Sequence, residues 1–206
     1  MKRLGLLLPI LAIILMLGGN AFAQNVGDNS VFFVTYYSNA NTAGSPDATV
    51  RIINDGDQAT TDVEGVENGT LWAAFYIFDD SQEFESCCAC QVTSDGLLSQ
   101  SVNKQLTSVE FSTRAELSRG VIKVISSSTN DPTNPVPTPG LRGWATHIEA
   151  TTNIPEKGPF RVTETQLADS NLGTTELSNL GTLCSFGLTL SGGYILCPCT
   201  VEDTDF

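Results

Sequence analysis

Six cysteines are the residues of this chain with the most definite chemistry. Cys87 and Cys88 are adjacent, and a bond between them is disfavoured because a disulfide needs Cα atoms about 4.4–6.8 Å apart on an unstrained backbone. An even number of cysteines in an exported chain predicts disulfides. We therefore predict bridges between two clusters of three cysteines and leave the individual pairing open; the clusters are Cys87, Cys88 and Cys90, and Cys184, Cys197 and Cys199.

A thiolate metal site is the alternative use of these side chains. Two Cys-x-Cys pairs can supply four sulfur ligands to zinc or copper, which both accept thiolates. The usual Cys-x-x-Cys spacing is absent, and an oxidising compartment favours disulfides over free thiolates. We therefore expect structural cross-links; the four candidate ligands are Cys88, Cys90, Cys197 and Cys199.

Acidic side chains form a second candidate site directly after a predicted strand. Calcium takes six to eight oxygen ligands, so Asp79, Asp80 and Glu83 are candidate ligands of a calcium ion. With Glu85 they are also candidates for a hydrolase that uses a pair of carboxylates. A solvated acidic loop is the favoured explanation of these residues, and no other cofactor is predicted. A further calcium candidate has no EF-hand pattern and consists of Asp55, Asp57, Asp62 and Glu64.

Other chemistry is sparse. His147 is the only histidine; it alternates with apolar residues on a predicted strand, and no Gly-x-Ser-x-Gly motif accompanies it. We expect a half-buried structural residue and a non-enzymatic protein. Trp72 and Trp144 are candidate platforms for stacking sugar rings.

The N-terminal residues have the pattern of a secretory signal. Lys2 and Arg3 precede a short apolar run, and Ala21-Phe22-Ala23 supplies a cleavage site. The pattern predicts a signal peptide at 1–23 and one mature β-sandwich domain at 24–206. We expect a secreted, extracellular or cell-surface protein, with the periplasm as the alternative, and no further membrane span.

Composition excludes several kinds of partner. The net charge is −13, from 10 Lys+Arg and 23 Asp+Glu. A nucleic-acid-binding protein needs a basic patch, and anionic lipid also repels an acidic chain. The remaining candidate partners are a second copy of the chain, another surface protein or a glycan.

Apolar and β-branched runs predict strands along most of the chain. Leu71–Phe78 is apolar on both faces, which indicates a central strand between two layers. Frequent turn signals favour an all-β, two-layer antiparallel β-sandwich of the jelly-roll or immunoglobulin kind. The other predicted strands are Val31–Tyr37, Thr49–Ile53, Cys88–Thr93, Ser108–Ser112, Gly120–Ser126, Gly143–Ala150 and Pro159–Thr165.

Helices are expected to be short and few. We predict one over Ser94–Leu106 and one helical turn over Thr174–Leu180 that ends at Gly181. Four prolines predict an extended surface loop at 127–140.

The C-terminal region has the pattern of a β-hairpin. Gly192-Gly193 is a two-residue turn signal between Leu183–Leu190 and Tyr194–Cys199. The resulting register places all three C-terminal cysteines on one apolar face. Pro198 cannot donate a ladder hydrogen bond, so the last strand is expected at a sheet edge.

Several short motifs together resemble a recurring pattern in exported, cysteine-containing bacterial proteins of no known activity. The motifs run from Phe78–Glu83 through Cys87–Cys90 and continue in Thr138-Pro139, Leu141-Arg142 and Trp144–His147. The resemblance implies a bacterial origin and carries no activity or site with it.

These observations favour a non-enzymatic structural, adhesive or binding protein of the cell surface. One form of this hypothesis is a fibre subunit that donates the strand Val31–Tyr37 to a neighbour, against the alternative of an ordinary first strand. Other hypotheses are a calcium-dependent glycan-binding module and a carboxylate-based extracellular hydrolase.

Overall fold

A computed structural model describes residues 29–56, 68–109, 117–151 and 159–199 of the chain. These residues form nine strands, one α-helix (α1) and a single π-helical turn. The elements are β1 Phe32–Ser38, β2 Thr49–Asn54, β3 Leu71–Asp79, β4 Phe84–Val92, β5 Leu97–Ser101, the π-turn Val102–Leu106, β6 Arg119–Ser127, β7 Leu141–Ala150, β8 Phe160–Gln166, β9 Ala168–Asp169 and α1 Thr174–Ser191.

The strands make two antiparallel sheets. The five-stranded sheet has the order β4-β3-β6-β1-β9 and the four-stranded sheet has the order β5-β2-β7-β8. The prediction of a mainly β fold with two antiparallel sheets and few helices is therefore confirmed. The predicted signal peptide and most of the predicted strand at Ser108–Ser112 lie outside the described residues.

β3 is the central strand that its sequence predicts. Phe75 and Ile77 belong to the core between the sheets, while Ala74 and Tyr76 belong to a second apolar cluster on the opposite face. Strand side chains alternate between faces, so a strand buried on both sides must be apolar throughout.

Helix α1 covers that opposite face. Leu180 and Cys184 pack in the cluster that also contains Phe32 and Tyr76. Gly187 leaves space in this cluster for Ile195 of the segment after α1, because a Cβ at that position would lie 2.5 Å from Ile195 Cδ1. The molecule therefore stacks a helix, a five-stranded sheet and a four-stranded sheet.

The predicted C-terminal hairpin is wrong. Leu183–Leu190 is part of α1, and Gly192, at a φ of 65°, ends the helix in the left-handed conformation while Gly193 N–H bonds the Leu188 carbonyl. Glycine suits a helix C-terminus for the same reason that it suits a hairpin turn, since both require positive φ. Gly181 likewise lies within α1 and does not end it.

The helix predicted over Ser94–Leu106 is also wrong. Leu97–Ser101 is a strand paired with β2, with Leu98 and Gln100 buried and Leu97 exposed. Only the turn that follows is helical, and its Thr107 N–H bonds the Val102 carbonyl five residues back. Pairing with β2 buries one side of this segment, and that outweighs its local helical pattern.

Tyr76 provides one buried anchor for the proline-rich loop at 127–140. Tyr76 Oη donates a 2.7 Å hydrogen bond to the Pro132 carbonyl. Burial raises the pKa of Tyr76, so its hydroxyl stays a donor at any physiological pH. Gly181 of α1 touches the carbonyl of Thr133, and this contact leaves no space for a Cβ.

Candidate functional site

The edge strand β4 carries three of the six cysteines. Cys87 faces the helix, whereas Cys88 and Cys90 face the core between the sheets. This distribution follows from strand alternation, which places neighbours on opposite faces and residues two apart on the same face.

Each β4 cysteine bonds one C-terminal cysteine, so the prediction of bridges between the clusters is confirmed. These pairs leave no free cysteine in the chain, and the alternative of a zinc or copper thiolate site is wrong for this state. Three disulfides indicate an oxidising compartment, extracellular or periplasmic. The bridges are Cys87–Cys184, Cys88–Cys197 and Cys90–Cys199.

The segment after α1 lies along the open edge of β4. Cys87 N–H bonds the Ile195 carbonyl at 3.2 Å, and Cys197 N–H bonds the Cys87 carbonyl at 3.1 Å. Ile195 is fully buried. The tail therefore covers an edge that would otherwise offer unpaired backbone groups to another chain.

Two of the disulfides lie next to each other. Cys88 Sγ and Cys90 Sγ are 3.7 Å apart, although neither is bonded to the other. The sulfurs of Cys88, Cys90 and Cys199 all lie within 4.8 Å of one another. Cys199 is exposed, and the other five cysteines are buried.

A groove of about 540 Å³ opens beside Cys199. Trp72, which is half-buried, forms part of its lining, together with the polar side chains of Gln91, Thr93 and Asn130. An aromatic ring next to amides and a hydroxyl is a suitable surface for a small polar ligand with apolar faces.

Trp144 lies elsewhere, on the four-stranded sheet. It is half-buried, opposite Arg51 on one side and Gln166 on the other. Arg51 forms an ion pair with Glu164, which lies on β8 two residues from Gln166. The structure therefore separates the two tryptophans, and only Trp72 lines the groove beside Cys199.

The acidic residues after β3 are only partly brought together. Carboxylate oxygens of Asp79, Glu83 and Glu85 lie within 4.8 Å of one another, whereas Asp80 pairs with Arg119 at 2.5 Å. Asp79 Oδ1 also accepts hydrogen bonds from the backbone N–H groups of Ser81 and Glu83, so it stabilises the turn between β3 and β4. Calcium binding here stays a prediction.

The second acidic group is mostly outside the described residues. Asp55 lies 3.9 Å from Arg142, while Asp57, Asp62 and Glu64 fall in the range 57–67, which the structure does not describe.

His147 is 3% exposed on β7. Its Nε2 lies 2.7 Å from Thr165 Oγ1, and its ring stacks on Tyr36 with centroids 4.1 Å apart. Burial lowers its pKa, an effect that the backbone of Tyr36 and the charge of Glu149 partly oppose. This histidine is therefore a buried residue of β7, more deeply buried than its sequence context predicts.

The sequence gives no hint of a second groove, which runs between α1 and the proline-rich loop. It has a volume of about 710 Å³. We refer to it as the helix groove; its lining includes Thr133, Pro135, Ser178, Thr182, Ser185 and Phe186. Correct assignment of α1 is needed to find it, because a hairpin would place Ser178, Thr182 and Ser185 apart.

Large apolar side chains are exposed on α1 and just after it, and one of them, Phe186, lines the helix groove. Phe186 is 58% exposed and Leu190 is 60% exposed, one helical turn apart. Tyr194 is 81% exposed in the turn that follows. Exposed apolar clusters of this kind are typical of interaction surfaces.

Comparison of the chain with protein-family models, curated proteins and solved structures finds no match. Of the helices in the described part of the chain, none is both long and apolar enough to cross a membrane.

Proposed function

We propose that this chain is a secreted, non-enzymatic structural protein of the cell surface that associates with a second copy of itself through the helix groove. The observation that carries the proposal is the uncharged, partly apolar face around Phe186 in an otherwise acidic protein. Its support comes from charge, from side-chain chemistry and from shape.

Charge favours a second copy as the occupant. The chain has a net charge of −13, yet the segment Thr174–Cys199 contains a single charged residue, Glu176. Glu176 is paired with Lys123 at 2.6 Å. A basic partner would bind most favourably to the acidic surfaces elsewhere on the protein. Two identical acidic chains, in contrast, repel each other least at a surface without charge.

The side chains of the helix groove favour an apolar occupant. Thr182 Oγ1 donates to the Ser178 carbonyl and Thr189 Oγ1 donates to the Ser185 carbonyl, so both hydroxyls are satisfied within α1. Because these two hydroxyls are already bonded, their burial under a partner leaves neither of them unpaired.

The face combines a protrusion and a recess, which is the requirement for a two-fold interface. In such an interface the same patch serves both subunits, so a protruding side chain of one copy must fit a recess of the other. Phe186 stands beside a recess bordered by Thr133 and Pro135.

Export is supported by the N-terminal pattern at 1–23 and by the three disulfides. The proposal does not include strand donation, because β1 is paired with β6 at all seven of its positions.

Sedimentation velocity of the mature chain over a wide range of concentrations tests the proposal. We expect a monomer–dimer equilibrium in the parent protein and a monomer in the double variant Phe186→Ser/Leu190→Ser. Val162→Ser is the matched control, since Val162 is 54% exposed on β8, and it should dimerise like the parent.

A parent protein that stays monomeric at all concentrations would overturn the proposal. So would a dimer that the double variant leaves intact while its circular dichroism spectrum matches the parent, because the interface would then lie elsewhere.

Glycan binding is the second candidate function, favoured by the groove that contains Trp72, Gln91 and Asn130. Aromatic rings bind the apolar faces of sugars, and amide groups bond their hydroxyls. On a glycan array we expect Trp72→Ala to lose binding and Trp144→Ala to keep it. Retention of the signal in EDTA would exclude a calcium requirement for this binding, and equal binding by both variants would exclude the Trp72 groove.

A further inference from the structure

Helix α1 forms one wall of the helix groove and carries a disulfide on its opposite side. Cys184 is fully buried and is bonded to Cys87 on the outer face of the five-stranded sheet. The next two residues, Ser185 and Phe186, line the groove. Successive residues of an α-helix point about 100° apart, so Phe186 points away from the sheet where Cys184 points into it. The bridge therefore fixes α1 at the helical turn that presents Phe186.

Other interactions hold α1 in this position only weakly. Two interior glycines and four threonines give the helix a low intrinsic propensity. Its N-cap is Gly173, which supplies no side-chain hydrogen bond. Two of its four buried residues are the glycines Gly181 and Gly187, so Leu180 and Cys184 are its only buried side chains. Because packing of an apolar face supplies most of the stability of a helix in a protein, α1 depends on its covalent link.

The helix groove exists only where α1 lies close to the proline-rich loop. The backbone of Gly181 lies against the carbonyl of Thr133, where a Cβ would be 2.4 Å away. The loop itself is anchored to the sheet separately, through the hydrogen bond of Tyr76. A displacement of α1 would therefore move Phe186 away from the recess that Thr133 and Pro135 border.

We propose that the Cys87–Cys184 bridge controls self-association, so that the helix groove serves as a dimer interface only in chains in which this bridge is closed. This control acts on the interface of the proposed function and therefore rests on it. Disulfides do not persist in a reducing compartment, so chains there would stay monomeric. Association would begin only after export.

Closure of the bridge is an oxidation. The thiols of Cys87 and Cys184 lose two protons and two electrons, the Sγ–Sγ bond forms, and a disulfide oxidant such as oxidised glutathione is reduced to two thiols. In the folded chain both cysteines are fully buried, so a thiol in solution is shielded from the closed bridge. The control therefore acts once, during oxidative folding.

The other two bridges lie away from the helix groove and supply a matched control. Cys88–Cys197 and Cys90–Cys199 join β4 to the tail that follows α1. Cys199 lines the other groove, beside Trp72. Removal of Cys90–Cys199 deletes one bridge of the same strand and leaves α1 linked through Cys184.

Sedimentation velocity of two double variants beside the parent tests the proposal, with intact mass confirming the remaining bridges of each chain. We expect Cys90→Ser/Cys199→Ser to dimerise like the parent. Only chains with α1 in place can associate, so Cys87→Ser/Cys184→Ser should raise the apparent dissociation constant by at least about tenfold. Equal dimerisation by this variant and the parent, with faster hydrogen exchange in α1 of the variant, would overturn the control by the bridge and leave the proposed function standing. A parent that stays monomeric would overturn both.

A second pair of substitutions separates a displaced helix from general unfolding. Thr175 and Asn179 are exposed residues of α1 outside the lining of the helix groove. Alanine at both positions raises the helix propensity of α1, so adding Thr175→Ala/Asn179→Ala to the chain without Cys87–Cys184 should lower its dissociation constant by at least about threefold. Restored protection of α1 in hydrogen exchange without restored dimerisation would contradict the proposal.

Discussion

The two faces of the five-stranded sheet are covered in different ways. Towards the four-stranded sheet lies a cluster of 24 buried residues, whereas the cluster beneath α1 contains 8, counted over the described residues. The smaller cluster includes the bridge Cys87–Cys184, whereas Cys88, Cys90 and Cys197 of the other two bridges belong to the larger cluster. The comparison teaches that β4 is linked to the C-terminal region on both of its faces, and that the small cluster beneath α1 depends on one bridge.

β3 allows this comparison to be tested with neighbouring residues. Phe75 faces the large core and Tyr76 faces the helix cluster, and both are fully buried. We expect Phe75→Ala to lower the free energy of unfolding by about 3–5 kcal/mol, through lost burial and a residual cavity. Urea denaturation of the oxidised chain measures this. A loss below about 1 kcal/mol would contradict the assignment of Phe75 to the main core.

Removing the bridge beneath the helix should have a slightly smaller and more local effect. We expect Cys87→Ser/Cys184→Ser to cost about 2–4 kcal/mol, because the bridge closes a loop with a sequence separation of 97 residues. Hydrogen exchange should become faster in α1 and stay slow in β2 and β7. Unchanged protection of α1 would show that its small apolar cluster suffices without the bridge.

The anchor of the proline-rich loop should contribute less. Tyr76→Phe removes the hydrogen bond to the Pro132 carbonyl and leaves a buried acceptor unpaired. We expect a loss of about 1–3 kcal/mol and faster proteolysis within 127–140. Tyr37→Phe on the other face is the control, and it should leave proteolysis of the loop unchanged.

The smallest effect is expected from His147, which belongs to the four-stranded sheet. Burial lowers its pKa in the folded protein, so the unfolded chain takes up a proton first as the pH falls. The contribution of His147 to the free energy of unfolding is complete above its unfolded pKa of about 6.5. It is lost as the pH falls below that value. Between pH 8 and pH 5.5 the parent should lose more stability than His147→Gln, by less than about 1 kcal/mol. An equal loss in both would contradict this assignment.

How far the sequence predicts this fold depends on how local each signal is. Leu71–Phe78 is apolar on both faces and is placed correctly, because only a strand between two layers requires that pattern. The pairing between cysteine clusters is also predicted, since adjacent Cys87 and Cys88 cannot easily bond each other.

The C-terminal prediction fails for a physical reason. Alternation of Cys184, Phe186 and Leu188 fits a strand, but the buried positions Leu180, Cys184 and Gly187 are spaced four and three apart, as in a helix. Two glycines serve either as a hairpin turn or as a helix end, so the local pattern does not decide. Contact with the outer face of β3 and β4 decides, and that contact is not visible in the local sequence.

The candidate sites were predictable to different degrees. The sulfur chemistry follows from residue type, whereas the 3.7 Å approach of Cys88 and Cys90 depends on strand geometry. Of the acidic residues, Asp79 and Glu83 come together, whereas Asp80 forms an ion pair with Arg119 of β6. The helix groove requires the three-dimensional position of α1 and the proline-rich loop.

A photo-crosslinking measurement tests the central claim of self-association most directly. Phe186 is replaced by p-benzoylphenylalanine in the oxidised mature chain, which is then irradiated and mapped by mass spectrometry, with isotopically mixed chains to distinguish crosslinks between copies. We predict crosslinks between copies that end on Thr133–Pro135, the opposite wall of the helix groove. Crosslinks confined to one copy, or ending on the four-stranded sheet, would contradict the account.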